Sequence, residues 1–506
     1  MEVVWYKRDL RIRDHAPLAE AAAAGPVLAV YVHEPEMILA PDSSAAHQGF
    51  IRECLDSLHE ALQERGSGLV ELTGSARDVL DLVWQRQPFS TLYSHEETGN
   101  WASYQRDKAV AAWCRRRGVQ WRQWPQNSVI RGPMARATRD WLAELEEYSS
   151  SEPVKAPRRI ASAELPMPTA TRPAGGEKLF SPAPRAVGED KLGRMRGGRS
   201  EAIALLTAFI GAKVGRYPRA ISSPLTAEEG CSRLSPYLAQ GVITMREIIL
   251  AMNRRIDSPE LVCNEHERDR LISAMRFFAD RLRWRAGYFQ KMESMPRLEF
   301  DNIHAGMTGL REAEFNQVHF ASWKAGETGY PMVDAAMKML HHTGWLNMRM
   351  RGMVLSFAVN ELWLHWREPA LYLACEFVDY EPAIHYNQMQ VHAGTASGSA
   401  MLVYNPVKQA QDLDSKGVFV RRWLPVLRAV PDAYVFAPWT MPPAVQAQCG
   451  VEIGTHYPAP IVDHLDAGRM ARARVAQAQV AAGVRQAVVR ERPAPPSTGV
   501  GQAALF

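Results

Sequence analysis

VVWYKRDLRIRDHAPLAEAAAAGPVLAVYV, residues 3–32, decides the fold of the N-terminal third. Val3-Val4-Trp5-Tyr6 and Val27 to Val32 are short apolar runs without polar alternation, which suits strands covered on both faces. Between them, Leu18 to Ala24 is Ala-rich and helical in pattern. Strand, helix and strand at this spacing imply parallel pairing through a crossover helix. The pattern repeats downstream. Leu69 to Leu72 and Thr91-Leu92-Tyr93 predict further strands, and Phe50 to Gln63 and Tyr104 to Arg117 predict covering helices. No GxGxxG follows the first strand, so the layout is Rossmann-like without the usual dinucleotide fingerprint.

The texture changes from about Val129 to Ser200. Serines, prolines and charges accumulate there, from Ser149-Ser150-Ser151 to Pro184, followed by Gly193, Gly197 and Gly198, which predicts a connecting segment. Beyond Ser200 helical periodicity dominates. In Tyr330 to Leu340, for example, Pro331 suits a first turn and Met332, Ala335, Ala336, Met339 and Leu340 form an apolar stripe. The expected fold class is an α/β N-terminal domain with a parallel sheet plus an all-α C-terminal domain. The expected boundaries are 1–130 for the α/β domain, 131–200 for the linker, 201–488 for the helical domain and 489–506 for a disordered Pro- and Gly-rich tail.

Composition fits this division. A chain of 506 residues exceeds what one core usually organises, and 46% hydrophobic with 23% charged residues is ordinary for globular domains. A net charge of +4 permits nucleic-acid binding without arguing for it. The six cysteines (Cys54, Cys114, Cys231, Cys263, Cys375, Cys449) have no CxxC spacing, which argues against disulfides, zinc or an iron–sulfur cluster, so no metal is expected. The start turns quickly to Lys7, Arg8, Asp9 and Arg11, which does not suit a signal peptide, and no later apolar run would span a bilayer. A cytoplasmic monomer with no membrane partner is the expectation.

Three clusters carry chemistry. In Gly230-Cys231-Ser232-Arg233-Leu234-Ser235-Pro236-Tyr237-Leu238, Ser235 reads as an N-cap followed by a first-turn proline, either a plain helix start or an anion cradle. Arg281-Leu282-Arg283-Trp284-Arg285 reads either as a solvated basic face with one core Trp or as a phosphate- and base-contacting face. The third is WKAGETGYPMVDAAMKMLHHTGWLNMRMRGMVLSF, Trp323 to Phe357, followed by Asp379-Tyr380-Glu381-Pro382 and Phe419-Val420-Arg421-Arg422-Trp423-Leu424-Pro425. Arg351 and Asp379 would each be costly to bury singly and sensible to bury as a pair.

Taken in order, these motifs and the opening Trp5-Tyr6-Lys7-Arg8-Asp9-Leu10-Arg11 closely resemble the DNA photolyase and cryptochrome family, from residue 1 to about 470. The resemblance implies an antenna-type α/β domain, able to hold a second chromophore of folate or deazaflavin type, and a helical domain that encloses FAD. It implies Tyr217, Cys231, Ser232, Arg233, Leu234, Ser235, Phe278, Arg281, Arg285 and Met348 as cofactor-binding positions. Arg351 and Asp379 match a salt bridge against the flavin ring, with Glu381 nearby and His385 beside flavin N5. Trp284 matches the pocket Trp and Trp366 the middle member of an electron-transfer chain; with His385 they are the expected catalytic residues. The DNA face implied is Arg281, Trp284, Arg285, Arg349, Arg421 and Arg422.

Departures from the family pattern accompany these matches. Cys231 replaces a Thr, Arg281 a Glu, Met348 an Asn, Gly352 a Met and Val391 a Trp. Met389 falls where the innermost electron-chain Trp belongs, and Arg311 to Phe315 holds no outer one. Trp345, Trp363, Trp366 and Trp323 either supply another route or are core. The paired His that marks (6-4) enzymes is also missing, since Asn347 and Met348 stand there; His341 and His342 read as helix-surface residues. The resemblance therefore implies a light-driven photolyase acting on pyrimidine dimers in UV-damaged DNA, with a cryptochrome-type blue-light photoreceptor as the alternative. A light-independent flavin oxidoreductase finds no nicotinamide motif.

Overall fold

The structure is a computed structural model that describes residues 1–165, 183–258, 264–396 and 401–483. The expected tail over 489–506, Cys263 and the stretch 166–182 of the expected linker lie outside them. The chain forms two compact units: Met1–Glu299 with Met339–Met348 and Leu371–His385, and Phe300–Lys338 with Arg349–Ala370 and Tyr386–Phe506.

In the first unit, β1 (Glu2–Tyr6), β2 (Val27–His33), β3 (Leu69–Thr73), β4 (Thr91–His95) and β5 (Gln120–Trp124) pair in parallel in the order β3-β2-β1-β4-β5. Helices α1 (Ala16–Ala24), α2 (Ala45–Gln63), α3 (Ala76–Arg86) and α4 (Trp101–Arg117) alternate with the strands. Val3, Trp5, Leu28, Val30, Leu72, Val79, Val83, Leu92, Val110 and Trp113 belong to one buried cluster, each large side chain adding roughly 1.5–3 kcal/mol. Strand order reverses between β1 and β4, so a crevice opens beyond their carboxyl ends.

The loop after β1 is pinned to the helical part of the same unit. Gly241 has φ 61°, and a Cβ there would run into the Arg8 carbonyl, so this close approach requires glycine. Arg11 Nη1 donates to Gly241 O at 2.9 Å. Within the expected linker the chain forms two helices, Pro133–Thr138 and Trp141–Ser150. The longest helix, α5 (Glu265–Ser294), buries Ala274, Met275, Phe278, Leu282, Ala286, Phe289 and Met292 at helical spacing.

No strand occurs after β5 among the described residues. Further helices include α6 (Pro331–Thr343), α7 (Met348–Ser356), α8 (Pro382–Ala393) and α9 (His464–Ala481). The Thr-Gly-Tyr-Pro turn of the second unit is held by Asp334. Its carboxylate accepts from Thr328 N (2.8 Å), Thr328 Oγ1 (2.7 Å), Gly329 N (3.1 Å) and Tyr457 Oη (2.6 Å). No helix among the described residues is long and apolar enough to cross a membrane.

Candidate functional site

One side of α5 in the first unit gathers aromatic and cationic groups. Tyr217 meets Phe209, Phe277 and Phe278 at ring distances of 5.5, 5.8 and 5.2 Å. The Arg281 guanidinium carbon lies 4.3 Å from the Phe277 ring centre and 4.1 Å from that of Trp284. Its Nε and Nη1 are buried and donate to nothing among the described residues, and burial lowers its pKa. Trp284 itself is 42% exposed. The result is a partly desolvated cation between two rings, with donors to spare.

Arg285, one turn on, is in the opposite condition. It donates to Asn127 Oδ1 (2.8 Å), Leu238 O (3.1 Å) and Glu381 Oε2 (2.7 Å). Glu381 Oε1 lies 3.6 Å from Arg8 Nη2, which also donates to Tyr380 O at 2.8 Å. Glu381 therefore anchors its loop through two arginines.

The Gly230–Ser235 segment corrects a sequence expectation. Ser235 is the first residue of the helix Ser235–Ala239, and Leu234 takes the cap position without a side-chain cap bond. That helix has five residues, so its dipole adds little, and Ser235 does not cap it. Instead Arg233 sits in the left-handed region at φ 56°, with its guanidinium carbon 3.9 Å from the Trp345 ring centre. Ser232 Oγ accepts from Leu234 N at 3.4 Å. Cys231 is buried, and desolvation pushes its thiol up to about 12, so it is a neutral S–H. Leu234 is fully buried.

Asp379 and Glu381 are both buried, and the half-buried His385 places its ring 5.2 Å edge-on to Tyr380 and 6.5 Å from Phe377. Met348, half-buried, begins α7, and Arg351, also half-buried, follows in the second unit. His341 Nε2 pairs with Tyr372 Oη at 2.7 Å, and His342 is exposed, both on the surface side of α6.

In the second unit Met389 is buried, and Trp366 donates to Asn302 Oδ1 at 2.7 Å and meets the buried Tyr386 at 6.4 Å. Trp363, at φ 55°, lies between the guanidinium groups of Arg311 (4.2 Å) and Arg474 (4.9 Å). A hole on Trp363, or on Trp345 under Arg233, would sit against a cation and be disfavoured. Trp323 is core and donates to Val354 O at 3.0 Å. Of the expected DNA-facing arginines in this unit, Arg421 is committed to Val430 O and Asp432 Oδ1, each at 2.7 Å, and to Lys416 O at 2.6 Å. Arg422 is exposed and Arg349 half-buried.

Sequence reasoning missed a buried triad at the strand-order reversal. His15 Nδ1 accepts from Leu18 N at 3.0 Å, so its proton is on Nε2, which donates to Asp9 Oδ2 at 3.0 Å. His95 Nδ1 lies 2.8 Å from the same oxygen. The three groups are close enough for a metal, but the His15 nitrogen that would ligate it carries the proton. The sequence signal, two histidines and an aspartate at strand ends, appears only once the strand order is known. Beside them a cavity of about 160 Å³ is lined by Trp5, Lys7, Glu34, Glu97, Arg106 and Tyr380 among others.

Comparison with known proteins agrees along nearly the whole chain. The family described as "DNA photolyase" matches residues 2–140, and "FAD binding domain of DNA photolyase" matches residues 278–477. A deoxyribodipyrimidine photo-lyase of Escherichia coli is 29% identical, covering 92% of this chain and 96% of that protein. A cryptochrome DASH of Natronomonas pharaonis is also 29% identical, covering 91% and 98%. The crystal structure of an archaeal photolyase from Sulfolobus tokodaii with two FAD molecules, presented as implying a novel light-harvesting cofactor, superposes with a TM-score of 0.74 at 24% identity. It covers 94% of this chain and 100% of that one.

Proposed function

The chain belongs to the DNA photolyase and cryptochrome family, and from that premise we propose that it is an FAD-dependent, light-driven photolyase that splits pyrimidine dimers in UV-damaged DNA. The observation that carries this reading is Arg281. Two buried N–H donors without acceptors among the described residues, on a cation that already lies against Phe277 and Trp284, suit a phosphate oxygen better than water. The diphosphate of FAD is the anion that the family brings to this region. Tyr217, Cys231, Ser232, Arg233, Leu234, Ser235, Phe278 and Met348 would frame the cofactor with it, and Arg351 and Asp379 are each candidates for the flavin ring edge. Arg285 and Glu381 then act by fixing the supporting loop.

When bound in its reduced form, FAD would supply light-driven, reversible one-electron chemistry, so that dimer splitting would be redox-neutral overall. The chain binds the damaged strand by its phosphates, with Arg349 and Arg422 as candidates. Trp284 offers an exposed face on which an extruded dimer can stack, and a damaged pair is cheap to unstack. His385, whose imidazole can both donate and accept through its ring nitrogens, would be the residue to hold or move a proton beside flavin N5. The cavity at the strand-order reversal is below the roughly 300–1,000 Å³ of ordinary small-molecule sites, and its walls carry both signs of charge.

The second reading, a blue-light photoreceptor, is favoured by the buried Met389, which cannot carry a hole as the expected Trp would. One experiment separates them: illuminate the reduced protein with dimer-containing DNA and assay restored thymines. Repair supports the enzyme; no repair by a flavin-loaded, photoactive protein supports the receptor.

A further inference from the structure

His392, Gly352, Tyr404 and Arg349 form a cluster wholly inside the second unit that the reading above leaves without a joint role. His392 stands near the end of α8 and is 4% exposed, with Nδ1 buried and without a hydrogen-bond partner among the described residues. Its ring takes the space that a side chain at 352 would need. A Cβ on Gly352 would lie 3.1 Å from His392 Cε1 and 3.2 Å from Nε2. The Tyr404 ring is 5.9 Å from the imidazole, tilted by 41°, and the Arg349 guanidinium carbon is 5.6 Å from the Tyr404 centre. Arg349 Nε is likewise buried, with no partner among the described residues.

Two unmatched polar atoms thus flank one phenol ring. Elsewhere in this unit some buried polar groups are met, as where Asp334 accepts four bonds and Arg311 reaches Val359 O, Ala393 O and Asn360 Oδ1, while others, such as His304 Nδ1 and the Glu361 carboxylate, also lack a partner among the described residues. An unmet buried nitrogen costs about 1–3 kcal/mol, and an apolar side chain would fill the gap beside Gly352 without it. Burial lowers the His392 pKa to about 4, so the ring is neutral at pH 7, with one donor and one acceptor nitrogen. Packing alone does not account for an imidazole here.

We propose that His392, with Arg349 beside it, is a specificity-determining residue that recognises the amide edge of the damaged pyrimidine. That edge presents carbonyl acceptors and an N–H donor, which a neutral imidazole and a guanidinium N–H complement. In intact duplex the same edge is occupied by base pairing, so recognition is confined to an extruded base. The inference rests on the photolyase reading. The flavin ring carries an edge of the same chemistry, and the test distinguishes the two.

The test measures dark binding of FAD-loaded protein to a dimer-containing duplex and to its undamaged counterpart, for the parent, His392→Phe, His392→Asn and Gly352→Met. His392→Phe should cut the preference for damaged duplex about ten-fold, with undamaged binding, flavin content and melting unchanged. His392→Asn, which keeps a donor and an acceptor, should recover part of the preference. Gly352→Met, which pushes the ring aside, should resemble His392→Phe. A damaged-to-undamaged ratio unchanged in both His392→Phe and Gly352→Met overturns the proposal, as does equal weakening toward both duplexes. Flavin lost from His392→Phe and kept in His392→Asn assigns the edge to the cofactor and overturns it as well. A parent that binds both duplexes equally overturns the photolyase reading itself.

Discussion

Replacing Arg281 by leucine should move the flavin-free and flavin-loaded proteins in different directions. In the flavin-free protein, Arg281 carries two buried donors without acceptors, each costing about 1–3 kcal/mol. Its contacts with Phe277 and Trp284 return roughly 0.5–2 kcal/mol each. Leucine removes both sets, so flavin-free stability should change little or rise by up to about 2 kcal/mol. With FAD bound, the same substitution deletes charge-assisted bonds to phosphate at about 1.5–3 kcal/mol apiece. Even one such bond is worth roughly ten-fold or more in affinity. The assay is thermal unfolding with and without FAD, together with flavin titration by fluorescence quenching. An Arg281→Leu protein that binds FAD as tightly as the parent would refute the phosphate assignment. A flavin-free protein destabilised by several kcal/mol would show that the guanidinium is structural.

Acid should weaken the first unit below about pH 6.5. Burial depresses the pKa of His15 and takes that of His95 to about 3, so the unfolded chain binds protons there that the folded one does not, and stability present above the ordinary imidazole value is lost as pH falls. Glu34, raised to about 7 by burial, opposes this, as do Glu96 and Glu293, while His47 acts with the other two histidines, so His95→Gln should flatten the decline in denaturant midpoint with pH and Glu34→Gln should steepen it. Asp379→Ala should lower flavin content, read by absorbance of the purified protein, if the buried Asp379 carboxylate lines the cofactor site; full flavin occupancy would count against that place. Trp284→Ala should reduce the preference for damaged over intact DNA and leave the salt dependence set by the arginines intact, as read by titrations at two ionic strengths. His385→Asn should abolish any pH dependence between 6 and 9 in the absorption spectrum of the photoreduced protein, and an identical response in both proteins would remove His385 from N5.

What was legible in the sequence follows from the kind of signal each element leaves. Strands β1 to β4 are apolar because both faces are covered, and that burial is written in Val, Leu and Tyr runs. Strand β5, Gln120–Trp124, was missed because an edge strand can be half exposed, and Gln-Trp-Arg-Gln-Trp has no apolar run. The Thr-Gly-Tyr-Pro turn was readable as a helix start, and the structure adds Tyr457, more than a hundred positions away, as the fourth donor to Asp334. Ser235 looked like a cap because Ser before Pro usually is one; here a glycine-led turn with Arg233 at positive φ delivers the chain already coiled, and no cap bond forms. His392 left no signal at all, since a lone histidine near a helix end predicts nothing until Gly352 and Tyr404 are brought beside it.

The arginines of α5 show where sequence reading of a basic cluster stops. Arg281 and Arg285 are one turn apart on the same helix and read as equivalent members of a cationic face. Their fates differ through partners supplied by distant chain. Asn127, Leu238 and Glu381 give Arg285 three acceptors, one of them charged, so its guanidinium is spent on holding the protein together. Arg281 receives Phe277 and Trp284 from its own helix, and rings attract its charge without accepting its N–H groups. A guanidinium whose charge already meets a carboxylate and whose terminal nitrogens already donate gains less from a phosphate, because a new bond competes with an old one. One that is partly desolvated and short of acceptors gains the full bond. Binding capacity on this helix is therefore a property of unmatched donors rather than of charge, and by that measure Arg281 is the residue of the pair that a ligand would use.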